Sequence, residues 1–444
     1  MMSILLELKR ALNVNLLLFL ISFLIFRTIF FTPVFSDETI YINMAKAITN
    51  GLMPYKDFFY AHPPLQLFLL APLAYFRNFF LIKFFISIIG ILNIFFVYLI
   101  SKKIFDEESG LISSISFLLF PGFLIFGNLA MGTFEALLFF LLSFYFLLNK
   151  KFFISNIFLT LAIFTRYLII LLIPFLFFYL FKNYKKKFKK YMAIFVLLNF
   201  LTFFALNLLT ENNFFIDTVL YHFSANIGVR AKISEQYFAL GFFTIFISIV
   251  CLAYAYFEND RKILVFSAYP LIFDFFILIT FKQVIYHYFA FALPFIFIGF
   301  GRALRNSKLL IVKIFLIMIL LLTFFTNLKS LEFYYDKNRN LIFDELTNYT
   351  LENTKDEDLI FGSAIPTNYI SFVTNRKIVN NYFDSDLKFI NFVGKERILK
   401  EVNSNPKLLF VTKEYLDFFK QDYEIVKEFN KPGYYHLFIM KRKF

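Results

Sequence analysis

The sequence predicts a polytopic α-helical membrane protein with about eleven transmembrane helices and a small α/β domain at its carboxy-terminal end. Three observations carry this. Of 444 residues 59% are hydrophobic, against about 45–50% for soluble chains, and the mean hydropathy is +0.68. The apolar residues are gathered into runs of roughly 20, about the number a helix needs to cross a 30 Å hydrocarbon core. After residue 328 the pattern changes to charged, mixed sequence.

The runs lie at 12–31, 79–101, 109–127, 132–148, 153–166, 167–181, 191–209, 237–257, 263–281, 284–300 and 309–328. Arg166 divides 153–181, which reads as two short helices meeting at a turn. Basic residues occupy alternate junctions: Lys9 and Arg10, Lys102 and Lys103, Lys150 and Lys151, a lysine cluster at 182–190, Arg261 and Lys262, then Arg302, Arg305 and Lys308. Positive charge of this kind marks the cytoplasmic side, so the amino terminus is expected inside and the segments 32–78, 211–236 and 329–444 outside. The expected setting is a plasma (inner) membrane, with the carboxy-terminal region extracytoplasmic. The net charge of +14 is thereby a topology signal and not a nucleic-acid footprint; for the 182–190 cluster, contact with anionic lipid is a second reading. The first run lacks a small-residue cleavage site and reads as a retained anchor. Cys251, the one cysteine, lies inside an apolar run and reads as a small buried hydrophobe. The 73 Phe and absent Trp fit a compositional bias, so no stacking site is inferred from them.

Two domains follow: 1–328, transmembrane, with an outer loop at 32–78, and 329–444, an extracytoplasmic α/β domain. In the latter, strand-type runs fall at 359–361, 369–373, 407–412 and 434–440, with helix-type stretches at 338–352 and 413–421.

The outer loop is the most informative segment. Asp37-Glu38 opens a helix-like stretch in which Tyr41, Ala45 and Ile48 recur at helical spacing, and Asn50-Gly51 ends it. Two acids at a helix start can simply cap it. Downstream, Tyr60-Ala61-His62-Pro63-Pro64-Leu65 makes a bend, and the apolar stretch 65–76 is too short to span, so a helix lying in the interface is expected. An acidic pair, a His-Pro-Pro bend and an interfacial helix would form an outward-facing alcove.

The segment Asp37-Glu38-Thr39-Ile40-Tyr41 with His62-Pro63-Pro64-Leu65 resembles the first outer loop of lipid-phosphate-sugar glycosyltransferases of the GT-C fold. It is most similar to the branch of protein O-mannosyltransferases and lipid A aminoarabinose transferases. Gly132-Thr133-Phe134-Glu135 with Phe139, Phe140 and Tyr145, the turn at Thr165-Arg166, and Lys282 with Tyr286-His287-Tyr288-Phe289 and Pro294 resemble later family segments in the family's order. The resemblance implies an inverting sugar transfer from a polyprenyl-phosphate-sugar donor to a hydroxyl of a lipid, glycan or protein acceptor on the outer membrane face. It implies Asp37 as general base and Glu38 as its partner. Tyr41, His62, Pro63, Pro64, Glu135, Arg166, Lys282, His287 and Tyr288 are then substrate-binding, with the cations near the leaving phosphate. The family's frequent Lys before the two prolines is His62 here, which carries less charge at neutral pH. His62 with Glu38 as ligands of a divalent metal (zinc, manganese or magnesium) is a second reading. Glu135 either orients the loop or pairs with Arg166. His222 and Arg230, in the outer segment 211–236, and Tyr55 and Tyr60 are weaker candidates.

A transporter or flippase of lipid-linked sugars is the alternative. Transporters usually show internal repeats and polar interruptions at mid-membrane, whereas polar residues here sit at the outer ends of smooth runs. An oligosaccharyltransferase of the same broad fold carries a Trp-rich acceptor motif, and this chain has no Trp.

Overall fold

The computed structural model describes residues 20–21, 23, 37–224, 235–280, 286–307, 310–326, 339–402, 406–429 and 436–443. The chain divides into two compact units, neither of them contiguous in sequence: residues 1–31, 83–202 and 228–335 form one, residues 32–82, 203–227 and 336–444 the other. The outer loop, read from sequence as an appendage of the membrane region, thus shares a unit with the carboxy-terminal segment.

The helical unit is built from α3 (Phe79–Ile104, which begins in the other unit), α4 (Glu107–Leu119), α5 (Thr133–Leu148), α6 (Phe152–Ile163), α7 (Ile173–Leu209, which ends in the other unit), α8 (Glu235–Phe257), α9 (Arg261–Thr280), α10 (Leu293–Asn306) and α11 (Leu310–Thr326). Among the described residues three helices are long and apolar enough to cross a membrane: Phe79–Ile104, Lys185–Leu209 and Arg261–Ile279; the other apolar helices are shorter. The first expected span, 12–31, lies almost wholly outside the described residues. Neighbouring helices meet through small and polar side chains, as suits a lipid solvent that gives no hydrophobic drive between helices. Ser101 Oγ lies 3.0 Å from Ser113 Oγ, Ser155 Oγ lies 2.9 Å from the Tyr191 hydroxyl, and Asn93 donates to the Phe134 carbonyl at 2.9 Å.

The expected turn at Arg166 is present. α6 ends at Ile163, Arg166 is extended (φ −154, ψ 121), and a short 3₁₀ turn, Tyr167–Leu172, leads into α7. The basic junction at 182–190 is not a loop. It stays helical except at Tyr184 (φ −138, ψ 43), where α7 breaks at one residue. Lysines are good helix formers, so a polar stretch between two spans need not leave the helix. Past the break α7 is bare, with Val196, Phe200, Phe204 and Leu208 each more than half exposed, as a lipid-facing surface would be.

The other unit opens with α1 (Glu38–Thr49). Its end is closed as the sequence predicts: Gly51 takes φ +87 and Leu52 N donates back to Ala47 O at 3.1 Å. α2 (Leu65–Ala74) has 10 residues, about 15 Å, too short to span a bilayer. Pro64 already has helical angles (φ −80, ψ −15), so the second proline starts α2 instead of extending the bend.

The carboxy-terminal part holds α12 (Arg339–Asn353), β1 (Leu359–Gly362), α13 (Ala364–Thr374), β2 (Lys377–Ile378), α14 (Leu387–Val393), α15 (Lys395–Val402), β3 (Pro406–Thr412), α16 (Lys413–Phe419), β4 (Tyr423–Phe429) and β5 (Leu437–Arg442). The strands form one mixed sheet in the order β2-β1-β3-β5-β4; β1 is parallel to β2 and β3, while β5 runs antiparallel to β3 and β4. One expected strand is wrong: 369–373 lies inside α13. A short apolar run reads alike for a buried strand and a buried helix, and α13 is buried on nearly every face, so no polar stripe betrays its period.

Candidate active site

Asp37 immediately precedes α1 with helical angles (φ −62, ψ −13), and its side chain makes no capping hydrogen bond. The capping alternative therefore does not describe it. It is half-buried, whereas Glu38, the next residue, has no exposed surface. One turn on, the Tyr41 hydroxyl lies 3.1 Å from Nε2 of His62, and Tyr41, Tyr60 and His62 pack edge to face at 5.7–6.0 Å. The His62 backbone is held by the Tyr55 hydroxyl, which donates to the His62 carbonyl at 2.6 Å.

The segment 203–227 adds residues that the sequence ranked low or passed over. His222 stacks on His62, with ring centroids 5.6 Å apart, and its Nε2 lies 2.8 Å from the Ala61 carbonyl. Asp217 accepts from Tyr60 N–H at 3.3 Å, and burial pushes its carboxyl up to about 7 against the opposing pull of that bond. Tyr221 packs edge to face on Phe59 and sits under the Lys388 ammonium, 4.7 Å from the ring centroid.

The carboxy-terminal part adds Asp384 and Asp386, on the loop between β2 and α14. Burial, then the charges of Asp386 and Asp37, push the Asp384 carboxyl well above the usual carboxylate range. The Tyr221 hydroxyl is likewise raised by burial first, then by Asp384, Asp386, Tyr41 and Asp37. Asp37 thus shares its surroundings with two acids far away in sequence. Their one sequence signal is the Asp-Ser-Asp of 384–386 between aromatic residues, and nothing in the chain ties that motif to Asp37.

Pro63 and Pro64 are buried in the bend beside His62. The remaining expected residues belong to the helical unit. Glu135 is in the first turn of α5 and Arg166 precedes the 3₁₀ turn, both buried. Tyr288, half-buried, is in a 3₁₀ turn, Tyr286–Phe291. Lys282, Arg230 and the side chain of His287 lie outside the described residues. Among the described residues no three His, Cys, Asp or Glu side chains gather to hold a metal. With Glu38 inward and His62 Nε2 beside the Tyr41 hydroxyl, this pair is not by itself a ligand set for zinc, manganese or magnesium.

A sequence model of the dolichyl-phosphate-mannose-protein mannosyltransferase family matches residues 61–209. No curated protein sequence matches the chain. Among solved structures, ArnT from Cupriavidus metallidurans bound to undecaprenyl phosphate aligns with a TM-score of 0.67 at 9% identity, covering 96% of this chain and 98% of that one. Its apo state aligns at 0.61 and 12% identity, over 92% and 94%. The Archaeoglobus fulgidus oligosaccharyltransferase in complex with zinc and sulfate aligns at 0.55 and 14% identity, over 91% of this chain and 69% of that chain. The fold is GT-C. The GT-C resemblance expected from the sequence holds at the level of the fold, and the alignment with ArnT covers almost the full length of the chain.

Proposed function

We propose that this protein is a membrane glycosyltransferase that moves a sugar from a polyprenyl-phosphate donor to an acceptor hydroxyl on the outer face of the membrane, with inversion at the sugar carbon. The observation that carries the reading is the position of Asp37, a half-buried carboxylate just before α1 in the same unit as Asp384 and Asp386, on a fold shared with ArnT bound to undecaprenyl phosphate. In the reaction, Asp37 accepts the acceptor's hydroxyl proton as that oxygen attacks the sugar carbon. The bond from that carbon to the phosphate oxygen breaks, and the lipid phosphate leaves with the electron pair. General base catalysis of this kind contributes about 10²–10⁴-fold. Glu38 supports the loop from within, Tyr41 and His62 line the approach, and Arg166, Lys282 and His287 stabilise the charge developing on the leaving phosphate. No step is routed through a metal.

The proposed topology puts the amino terminus in the cytoplasm and the outer loop and carboxy-terminal part outside, with about eleven spans in a plasma membrane. Four basic junctions meet within the helical unit, which supports their sharing one side. Arg302 pairs with Asp106 at 2.6 Å and lies 3.8 Å from Asp260, Lys262 donates to the Ile104 carbonyl at 3.0 Å, and Lys103 bonds Asn149. The test is transfer of radiolabelled sugar in wild-type membranes supplied with a panel of polyprenyl-phosphate sugars. Label entering a lipid, glycan or protein fraction supports the reading. No transfer with any donor, together with movement of a labelled donor between leaflets, would replace it with the flippase.

A further inference from the structure

We propose that Asn368 is a positioning residue that sets the Asp37 helix against the Asp384–Asp386 loop; the inference rests on the function just proposed. Asn368, on α13, has no exposed surface. Its amide nitrogen donates to the Ala364 carbonyl at 2.7 Å and to the Phe383 carbonyl at 2.6 Å, and its Oδ1 accepts from Asn43 Nδ2 at 3.0 Å. One side chain therefore bridges α1 and the residue immediately before Asp384.

The bond to Ala364 is a local one, four residues back along the same helix. The other two are not: they join three elements across the unit. On α1, Thr39, Asn43 and Lys46 lie along one face and all engage α13 or the residue that ends it. Thr39 Oγ1 donates to the Ile365 carbonyl at 3.1 Å and Lys46 Nζ to Asn375 Oδ1 at 2.6 Å. The loop is tied from its other side as well. Ser385 Oγ donates to the Gly362 carbonyl at 2.6 Å, at the carboxyl end of β1, and the Tyr415 hydroxyl donates to the Ser385 carbonyl at 3.0 Å. Among these ties Asn368 is the side chain that reaches both the loop and the helix of Asp37. Without it, Asn43 and the Phe383 carbonyl lose buried partners, a cost that shifts backbone instead of being absorbed. A displacement of about 1 Å between reacting groups lowers a rate by about 10²-fold.

The experiment uses the full chain in lipid nanodiscs and compares Asn368→Ala with Thr39→Val, which loosens the same helix contact without touching the loop. Hydrogen exchange of segment 382–390 and the kcat and KM for a polyprenyl-phosphate sugar are the readouts. Asn368→Ala is expected to speed exchange in 382–390 about 10-fold and to lower kcat about 10²-fold with the donor KM within about 3-fold. Thr39→Val is expected to stay within about 3-fold of wild type on every measure. Asn43→Ala, which leaves the bond to Phe383 in place, should lose about 10-fold in kcat and add little to Asn368→Ala in the double variant, since the two share a bond. It also serves if Asn368→Ala does not insert. Unchanged exchange in 382–390, or equal kcat losses in Asn368→Ala and Thr39→Val, overturns the inference. If wild type transfers no sugar, the function fails separately and the exchange measurement still decides the role of Asn368.

Discussion

At a helix start a carboxylate ordinarily bonds the first backbone N–H groups, which lowers its value as a base. Asp37 makes no such bond, and its neighbourhood holds Asp384, Asp386, Tyr41 and Tyr221. Negative neighbours favour the protonated form, and the Asp384 carboxyl is raised in that way, by burial first and then by the charges of Asp386 and Asp37. The same reasoning gives a stability prediction at Asp217, raised by burial to about 7. Between roughly pH 4 and 7 the folded chain holds a proton that the unfolded chain releases, so stability is fullest below about pH 4 and falls as pH rises through 7. Asp217→Asn, which keeps an acceptor for Tyr60 N–H, should match wild type near pH 4 and exceed it by about 1–3 kcal/mol at pH 8. Parallel melting temperatures across that range would count against a buried, protonated Asp217. At this scale the acidic pair and His62 stand out in the sequence because adjacent carboxylates and a His-Pro-Pro bend beside an apolar run are local patterns, and their roles stay part of the proposal. Asp217, Asp384 and Asn368 were not, because each acquires its meaning from a partner more than a hundred residues away.

Among elements, boundaries set by local chemistry were readable and those set by burial were not. Asn50-Gly51, Arg166 and the bend before Leu65 fall where breakers and charges put them. The stretch 369–373 was misread because its aromatic and β-branched residues suit either element; the backbone of the junction 182–190 was not legible, because a run of lysines marks polarity and says nothing of whether the chain stays helical. The end of β1 lies close against β3. Gly362 has φ +147, and a Cβ there would lie 2.0 Å from the Phe410 carbonyl oxygen on β3, while Ser363 Oγ accepts from Thr412 N at 3.0 Å. Gly362→Ala is therefore expected to cost about 2–4 kcal/mol and to part β1 from β3. Faster hydrogen exchange in 359–362 and 406–412, with the helical segments unchanged, is the signature; wild-type protection in both strands would contradict it.

For the whole molecule, the apolar runs made the membrane class and the places of most described helices legible, while the span count and the orientation stay part of the proposal. The grouping of the outer loop with 203–227 and 336–444 was not, because contacts such as Asn43 to Asn368 leave no trace in composition or period. The proposed topology is open to labelling, since Cys251 is buried and leaves a quiet background. Lys56→Cys, on an exposed part of the outer loop, should react with a membrane-impermeant maleimide added to intact cells, and Lys186→Cys only after permeabilisation. The reverse pattern would invert the whole assignment. The most direct test of the central claim compares wild type with Asp37→Asn, equally inserted, for transfer of radiolabelled sugar from a polyprenyl-phosphate donor. Loss of about 10²–10⁴-fold in kcat with donor KM little changed is the predicted result; transfer at the wild-type rate would show that Asp37 is not the base.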